Sequence, residues 1–395
     1  MKKATRQQTK THNSRLVLKT IHHQKQISRA AIARLTGLAR TTVSDVVTEL
    51  MQEGLVAEIG HGPSAGGKPP ILLSVVDDSR HLIGIDLANS EFRGGVINLQ
   101  GEVRHRANLP VNNRDGKAAL VLVYELIDQL VATAGSPLLG IGIGTPGLMD
   151  ARNGVVRQAV NLDWQDLPLG DLLHERYNLP VYIANDSQAA ALAEYTFGNY
   201  QNVSNLVVVK IGRGIGAGIV INGQIHYGDG FGAGEIGHVV VAENGERCRC
   251  GNFGCLETIV SSQAIVRQAQ AIANSNSTSA LHQFVSTPEA INTDIVLQVL
   301  KTGDETLQAV IAAVGHHLGI TIAGLIGVLN IQKIVLAGSV ARFGTALLEP
   351  ARLAMQQRSL AALANETSIN ISRLGNDIVI LGAAALLLTN ELGLV

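Results

Sequence analysis

Cys248, Cys250 and Cys255 are the only cysteines of the chain, and all three fall within eight positions, downstream of His238. Three thiolates and an imidazole make a closed tetrahedral zinc set, and Gly251 and Gly254 permit the tight turns that let the ligands converge. The spacing Cys-x-Cys-x4-Cys departs from the common Cys-x2-Cys, and simple buried thiols are the bland alternative. The same segment carries Glu235 and Glu257, so a structural metal would adjoin a binding site. A second polar group, Asn185-Asp186, follows the apolar run Val181-Tyr182-Ile183-Ala184 and precedes an alanine-rich stretch from Ser187 to Phe197. A carboxylate there either caps the helix or faces a ligand at the mouth of an α/β crevice.

Elements that could hold these groups follow from composition and patterning. A chain of 395 residues, with 42 glycines among abundant aliphatic residues and only 3 % aromatics, suggests two or three domains of α/β architecture. Committing every cysteine to a metal argues for a reducing compartment. The first twenty residues lack the apolar core of a signal peptide. The most apolar stretches, Leu318 to Ile331 and Ile378 to Leu388, read as buried elements too short to span a bilayer. A cytoplasmic location is expected.

Charge is unevenly placed. Residues 1–80 carry 12 Lys or Arg against 6 Asp or Glu, leaving 19 against 26 for the remainder. A basic block is either a solvated face or a surface for phosphate backbones. Patterning favours the second. Val17, Leu18 and Ile21 form a helical stripe within Asn13 to Gln24; Ser28 can cap a helix through Leu35 with Ala31, Ile32 and Leu35 on one face; and Gly37 can end it. A third helix would turn Val43, Val46, Val47 and Leu50 inward. Arg40, Thr41, Thr42, Ser44 and Asp45 would face outward, where Arg suits guanine edges and hydroxyls suit phosphates in a major groove. The runs Leu55 to Ile59 and Ile71 to Val75 read as strands flanking a glycine-rich wing with Lys68 near its tip, placed for a phosphate or the minor groove. The alternative is a three-helix adaptor without nucleic acid. One such head binds DNA weakly, so a dimer is implied.

Beyond residue 80, strand and helix patterns alternate. His81 to Leu87 and Gly94 to Leu99 read as strands, Lys117 to Ala134 as a helix, and Leu138 to Gly144 as a further strand. Asn205 to Lys210 opens a second half that repeats the strand, glycine loop, strand order through Gly212 to Gly218. A long helix from about Asp304 to Val328 and a strand at Lys333 to Ala337 follow. His316 and His317, adjacent and on different faces, read as ordinary helix residues.

Taken together, Glu235-x-Gly237-His238, the Cys248 to Glu257 motif and Asn185-Asp186 resemble the ROK family of bacterial repressors and sugar kinases. The likeness covers essentially the whole chain. It implies a two-lobed actin-like, ribonuclease-H-like α/β fold behind a winged helix-turn-helix, with Gly66-Gly67-Lys68-Pro69 at the wing as in the repressor branch. Expected boundaries are 1–78 for the DNA-binding head, 79–200 for the first lobe with a C-terminal helix at about 381–395 packing back on it, and 201–380 for the second lobe. The resemblance further implies sugar binding by Asn185, Asp186, Glu235, His238 and Glu257, and structural Zn2+ on His238, Cys248, Cys250 and Cys255.

Kinases of the family use the Asp186 position as catalytic base and write their first phosphate loop Asp-x-Gly-Gly-Thr. This chain has Asp86-Leu87-Ala88-Asn89-Ser90, carries Arg213 in the second loop where kinases usually have Thr, and has Ala337-Gly338-Ser339 in the third. Side chains there obstruct close approach of phosphates to backbone. The expectation is therefore a non-enzyme: a sugar-responsive repressor, homodimeric or homotetrameric, that leaves operator DNA when a sugar or sugar phosphate closes the cleft. An ATP-dependent sugar kinase with an accessory DNA-binding head is the alternative. A regulator titrated by a protein partner is a third.

Overall fold

In the computed structural model, residues 5–63, 69–87 and 90–394 are described. Lys68 therefore lies outside the described residues, as do Ala88 and Asn89.

The head is a three-helix unit with a small sheet. Its first helix spans Arg6–Gln24 and begins earlier than its apolar stripe suggested, because Thr5 caps it reciprocally with Gln8. The second, Arg29–Thr36, is capped by Ser28 and closed by Gly37 at φ +71°. Only Ile32 of this short helix is buried. Leu35, expected inward, is 58 % exposed; it lies in the last turn of the helix, two residues before Gly37 ends it. The third helix, Arg40–Gln52, buries Val43, Val46, Val47 and Leu50. Val56–His61 pairs antiparallel with Ile71–Val75, and a two-residue strand, Ile27–Ser28, adds to the latter's other edge.

Two five-stranded sheets form the body, and they share one strand order. In the first, His81–Asp86 is central, flanked on one side by the antiparallel Glu91–Ile97 and Val103–Pro110, and on the other by the parallel Leu138–Thr145 and Val181–Asn185. In the second, Leu206–Ile211 takes the central place, with antiparallel Ile215–Ile221 and Gln224–Ile225 to one side and parallel Lys333–Ala337 and Ser368–Ile371 to the other. A three-stranded meander of Leu148–Asp150, Val155–Ala159 and Trp164–Leu167 extends the first lobe towards the second.

Helix Asp186–Phe197 contacts strands of both sheets, and every residue from Ser187 to Glu194 is buried. Its alanines follow from that crowding: a Cβ on Gly218 would stand 2.4 Å from the Ala191 methyl carbon. Helix Ile378–Leu387 returns from the second lobe to pack on helix Asp186–Phe197 and on the central strands of the first sheet. It starts before residue 381, and ten consecutive residues from Ile378 to Leu387 are buried. Backbones meet directly here, since a Cβ on Gly142 would lie 1.9 Å from the Ala383 carbonyl oxygen.

The long helix Glu305–Leu329 corrects one expectation. At 25 residues it is long and apolar enough by itself to cross a bilayer, as is the segment Gly375–Leu392, because apolar residues continue N-terminal to Leu318. Both helices are packed into the fold instead, the first against Thr345–Arg358 with Leu318 and Ile322 fully buried.

One hydrophobic cluster runs unbroken from the head, through Val17, Ile21, Leu50 and Val56, into Leu82, Leu99, Leu388 and Leu394 of the body. Head and first lobe thus share a core. The His22 ring nitrogen lies 3.0 Å from the Leu99 carbonyl oxygen, and Arg80 donates to the Glu53 carbonyl at 3.0 Å. On the C-terminal side, Arg15 of the first helix donates to the Asn390 carbonyl at 2.8 Å.

Candidate functional site

Between the lobes lies a cavity of about 370 Å3 lined by residues of both. That is within the usual size range of small-molecule sites. From the first lobe come Gly147, Gln158, Asn161, Asn185 and Asp186; from the second, Lys210, Gly214, Glu235, His238, Arg249 and Glu257. The five residues expected around a sugar therefore line one cavity although they span 73 positions of sequence, from 185 to 257.

Each is held by local structure. The Asn185 side-chain oxygen caps helix Asp186–Phe197 by accepting from Ser187 N at 2.8 Å, and its amide donates to the Gly147 carbonyl at 3.0 Å. One N–H and one lone pair of that amide remain for a ligand. Asp186 opens the helix, where the amide dipoles favour an anion. Glu257 begins the short helix Glu257–Val260 and accepts from Ile215 N at 3.2 Å. Burial, reinforced by nearby Asp186 and Glu257, raises the Glu235 carboxyl above its ordinary range against the opposing pull of His238.

Asp186 does not stand alone. Its Oδ2 accepts from Lys210 Nζ at 2.7 Å, with side-chain exposures of only 8 % for the lysine and 13 % for the aspartate. Arg93 pairs in turn with the fully buried Asp86. Burial alone would lower the Lys210 ammonium's pKa, but Asp186 and Asp86 together raise it above its ordinary value. Lys210 belongs to the second lobe and both aspartates to the first, so the lysine is an ionic tie across the floor of the cleft. Sequence reasoning missed it. The signal was present as a single charge within the apolar strand Leu206-Val207-Val208-Val209-Lys210-Ile211, since a buried lysine needs a partner.

The loop carrying the three cysteines forms one wall. Ligand-capable atoms of His238, Cys248, Cys250 and Cys255 all lie within 4.8 Å of one another. Cys248 Sγ is 3.6 Å from His238 Nδ1, and Cys250 Sγ is 3.6 Å from Cys255 Sγ. Those separations match the edges of a tetrahedron, about 3.8 Å between sulfurs for metal–sulfur bonds near 2.3 Å, so the cluster fits a metal ion. Gly254, at φ +70°, makes the convergence feasible: a Cβ there would sit 1.6 Å from the Ala242 carbonyl oxygen. With Nδ1 turned towards the sulfurs, His238 Nε2 is left 3.9 Å from Glu235 Oε2 on the cavity side. Arg249, inside the loop, donates to Asn161 of the first lobe at 2.7 Å and so ties the loop across the cleft.

In the head, Arg40, Thr41 and Ser44 are exposed on the third helix, while Thr42 is half-buried. Ala39 caps this helix without a side-chain hydrogen bond, leaving its first amides available to an anion.

A two-lobed fold of this kind, with a metal-capable loop beside a polar cleft and a winged helix-turn-helix in front, is the architecture of a ligand-binding regulator. The sequence matches the ROK family over residues 82–390, and the chain belongs to that family. It is 35 % identical over 385 residues to a xylose repressor of Caldicellulosiruptor bescii, covering 96 % of each chain. The crystal structure of a ROK family transcriptional regulator, a homolog of the E. coli MLC protein, superposes with a TM-score of 0.84 at 29 % identity, covering 98 % of each chain. A ROK family glucokinase from Streptomyces griseus, in complex with glucose and AMPPNP, matches at 27 % identity with a TM-score of 0.71, over 78 % of this chain and 98 % of its own.

Proposed function

We propose that the protein is a sugar-responsive transcriptional repressor that binds operator DNA as a homodimer or homotetramer and releases it when a sugar or sugar phosphate occupies the cleft. Residues 1–78 act as the DNA-binding head, 79–200 with the C-terminal helix as one lobe, and 201–380 as the other. The observation that carries this reading is the physical continuity between cleft and head. Strand Val181–Asn185 places Asn185 at the cavity and, three residues earlier, Tyr182, whose hydroxyl donates to Glu391 Oε1 at 2.6 Å. The same C-terminal turn accepts Arg15 of the first head helix through the Asn390 carbonyl.

In this reading Asp186, Asn185, Glu235 and Glu257 pair with ligand hydroxyls, while His238 presents Nε2–H. A zinc ion on Nδ1 and the three thiolates would fix that tautomer and hold the wall of the cleft. Arg40, Thr41, Thr42 and Ser44 read the operator, with Lys68 assigned to its phosphates from sequence alone. Closure changes the head only if the ligand binds one lobe arrangement more tightly than the other, and a coupling of about 1–3 kcal/mol lowers operator affinity roughly 5- to 150-fold. The protein works in the cytoplasm, where thiols remain free to hold metal.

Lys210 and Arg93 support a non-enzymatic role, because the position of the base is neutralised by an ammonium and Asp86 is committed to a guanidinium. Likeness to the glucokinase keeps an ATP-dependent sugar kinase as the second reading, favoured by the survival of Asp86, Asp186 and the Gly212 to Gly218 loop. Fluorescence anisotropy with labelled DNA from upstream of the protein's own coding region, titrated with D-xylose, D-glucose, N-acetylglucosamine and their phosphates, tests the repressor. Saturable binding reversed by one of these sugars is expected; DNA binding indifferent to all of them, with sugar-dependent ADP formation abolished in Asp186→Asn, would transfer the reading to the kinase.

A further inference from the structure

We infer that Lys210 is a sugar-binding residue: together with Asp186 it forms a paired donor and acceptor for one hydroxyl of a neutral sugar, and so determines which hydroxyl the cleft demands. The inference rests on the repressor reading above, which assigns the cleft to a sugar.

Lys210 lines the cavity, although its side chain is 8 % exposed. An ammonium carries three donors and no acceptor. One is spent on Asp186 Oδ2 at 2.7 Å, and Asp86 of the first lobe lies close enough to act on the same charge. Asp186 Oδ1 is 3.3 Å from the Ser187 hydroxyl, a long contact that leaves the carboxylate with unused lone pairs. A hydroxyl arriving over the Lys210–Asp186 pair can donate its proton to the carboxylate and accept an N–H from the ammonium at once. Neither group could satisfy both halves of a hydroxyl alone.

The fixed ion pair also accounts for selectivity. A sugar lacking that hydroxyl, or carrying a methylene in its place, would leave two desolvated charges without their outer partner, and such sites reject analogues strongly. Because the ammonium comes from the second lobe and the carboxylate from the first, a hydroxyl bonded to both is held by both lobes, which makes closure depend on it.

The test uses the full-length protein, wild type, Lys210→Gln and Lys210→Met, with isothermal titration of D-xylose and of its 2-deoxy, 3-deoxy and 4-deoxy analogues, repeated with the D-glucose series. In the wild type, one deoxy analogue should bind about tenfold or more weakly than the parent, the scale of one hydrogen bond to a charged group. In Lys210→Met the penalty for that same analogue should shrink to less than about threefold, with Lys210→Gln, which keeps a donor, in between. Equal weakening of every analogue in both variants means that Lys210 only props the cleft, and overturns the inference. A wild-type protein that binds the sugars and variants that bind them identically also overturn it. Wild-type protein that binds none of these neutral sugars defeats the neutral-sugar reading itself before the lysine is reached. Thermal melts of both variants establish folding, and if Lys210→Met is unfolded the graded response of Lys210→Gln decides.

Discussion

Polar side chains gather in two places, the outer face of the third head helix and the floor of the cleft, and their surroundings are opposite. Arg40, Thr41 and Ser44 stand in water on a helix whose other side is apolar, whereas Asp86 and Lys210 are buried, Asp186 is only 13 % exposed, and all three are engaged with charged partners. Exposed groups act through a screened field, so on the proposed reading their effect on DNA would be graded, roughly additive and dependent on salt. Buried ones act as a unit, and removal of a single member strands its partner in low dielectric. On the proposed reading, the head is thus suited to tunable affinity and the cleft to discrimination.

Metal removal should produce the largest effect, because it strikes a wall of the cleft. Stripping the ion with a chelator, or replacing the buried Cys255 by Ala, should weaken sugar binding at least about tenfold and lower the melting temperature, read by calorimetry beside elemental analysis for zinc. Unchanged sugar affinity in metal-free protein would detach the loop from the cleft. Next in size, Arg40→Ala should cost about 1–3 kcal/mol on operator DNA with little change on random DNA, measured by anisotropy across a salt series. Equal losses on both sequences would mean that Arg40 touches phosphate rather than a base edge.

A subtler change separates the two regions. Tyr182→Phe removes the hydroxyl that reaches Glu391, and should leave both sugar affinity and operator affinity within about threefold of wild type while reducing sugar-induced release. Full release in this variant would place the coupling elsewhere. The smallest effect concerns Glu194, on the buried helix between the lobes. Burial raises its carboxyl, with a hydrogen bond from Ser372 opposing. A raised folded pKa stabilises the protein below the ordinary carboxyl range and loses that contribution as pH rises through the folded value. Glu194→Gln should therefore melt about 1–3 °C above wild type at pH 7, and the gain should vanish near pH 4.5.

Much of this was legible in the chain because the informative residues are local. His238 and the three cysteines are close in sequence, the helical stripe of Val43, Val46, Val47 and Leu50 has an unmistakable period, and glycine loops follow apolar strands in both halves. What escaped was whatever depends on distant chain meeting. Val103–Pro110 carries the polar run Arg104-His105-Arg106 and is mostly exposed because it is an edge strand, so no apolar run announced it. The start of the first head helix was hidden in polar residues and set by a cap. Lys210 looked like the end of a strand until the fold brought Asp186 within 2.7 Å of it, and Arg249 gave no hint of Asn161. Asn185 was visible as a residue at the crevice, but not that its amide is engaged both in capping its own helix and with the Gly147 carbonyl.

The helix Ile378–Leu387 lies directly on strands made some 230 to 300 residues earlier, backbone against backbone. Until the ribosome has delivered it, the first lobe has no cover over Gly84 and Gly142, and the head that shares its core has nothing firm to lean on. Nascent or prematurely terminated chains should consequently occupy no operator, so that only finished molecules compete for DNA.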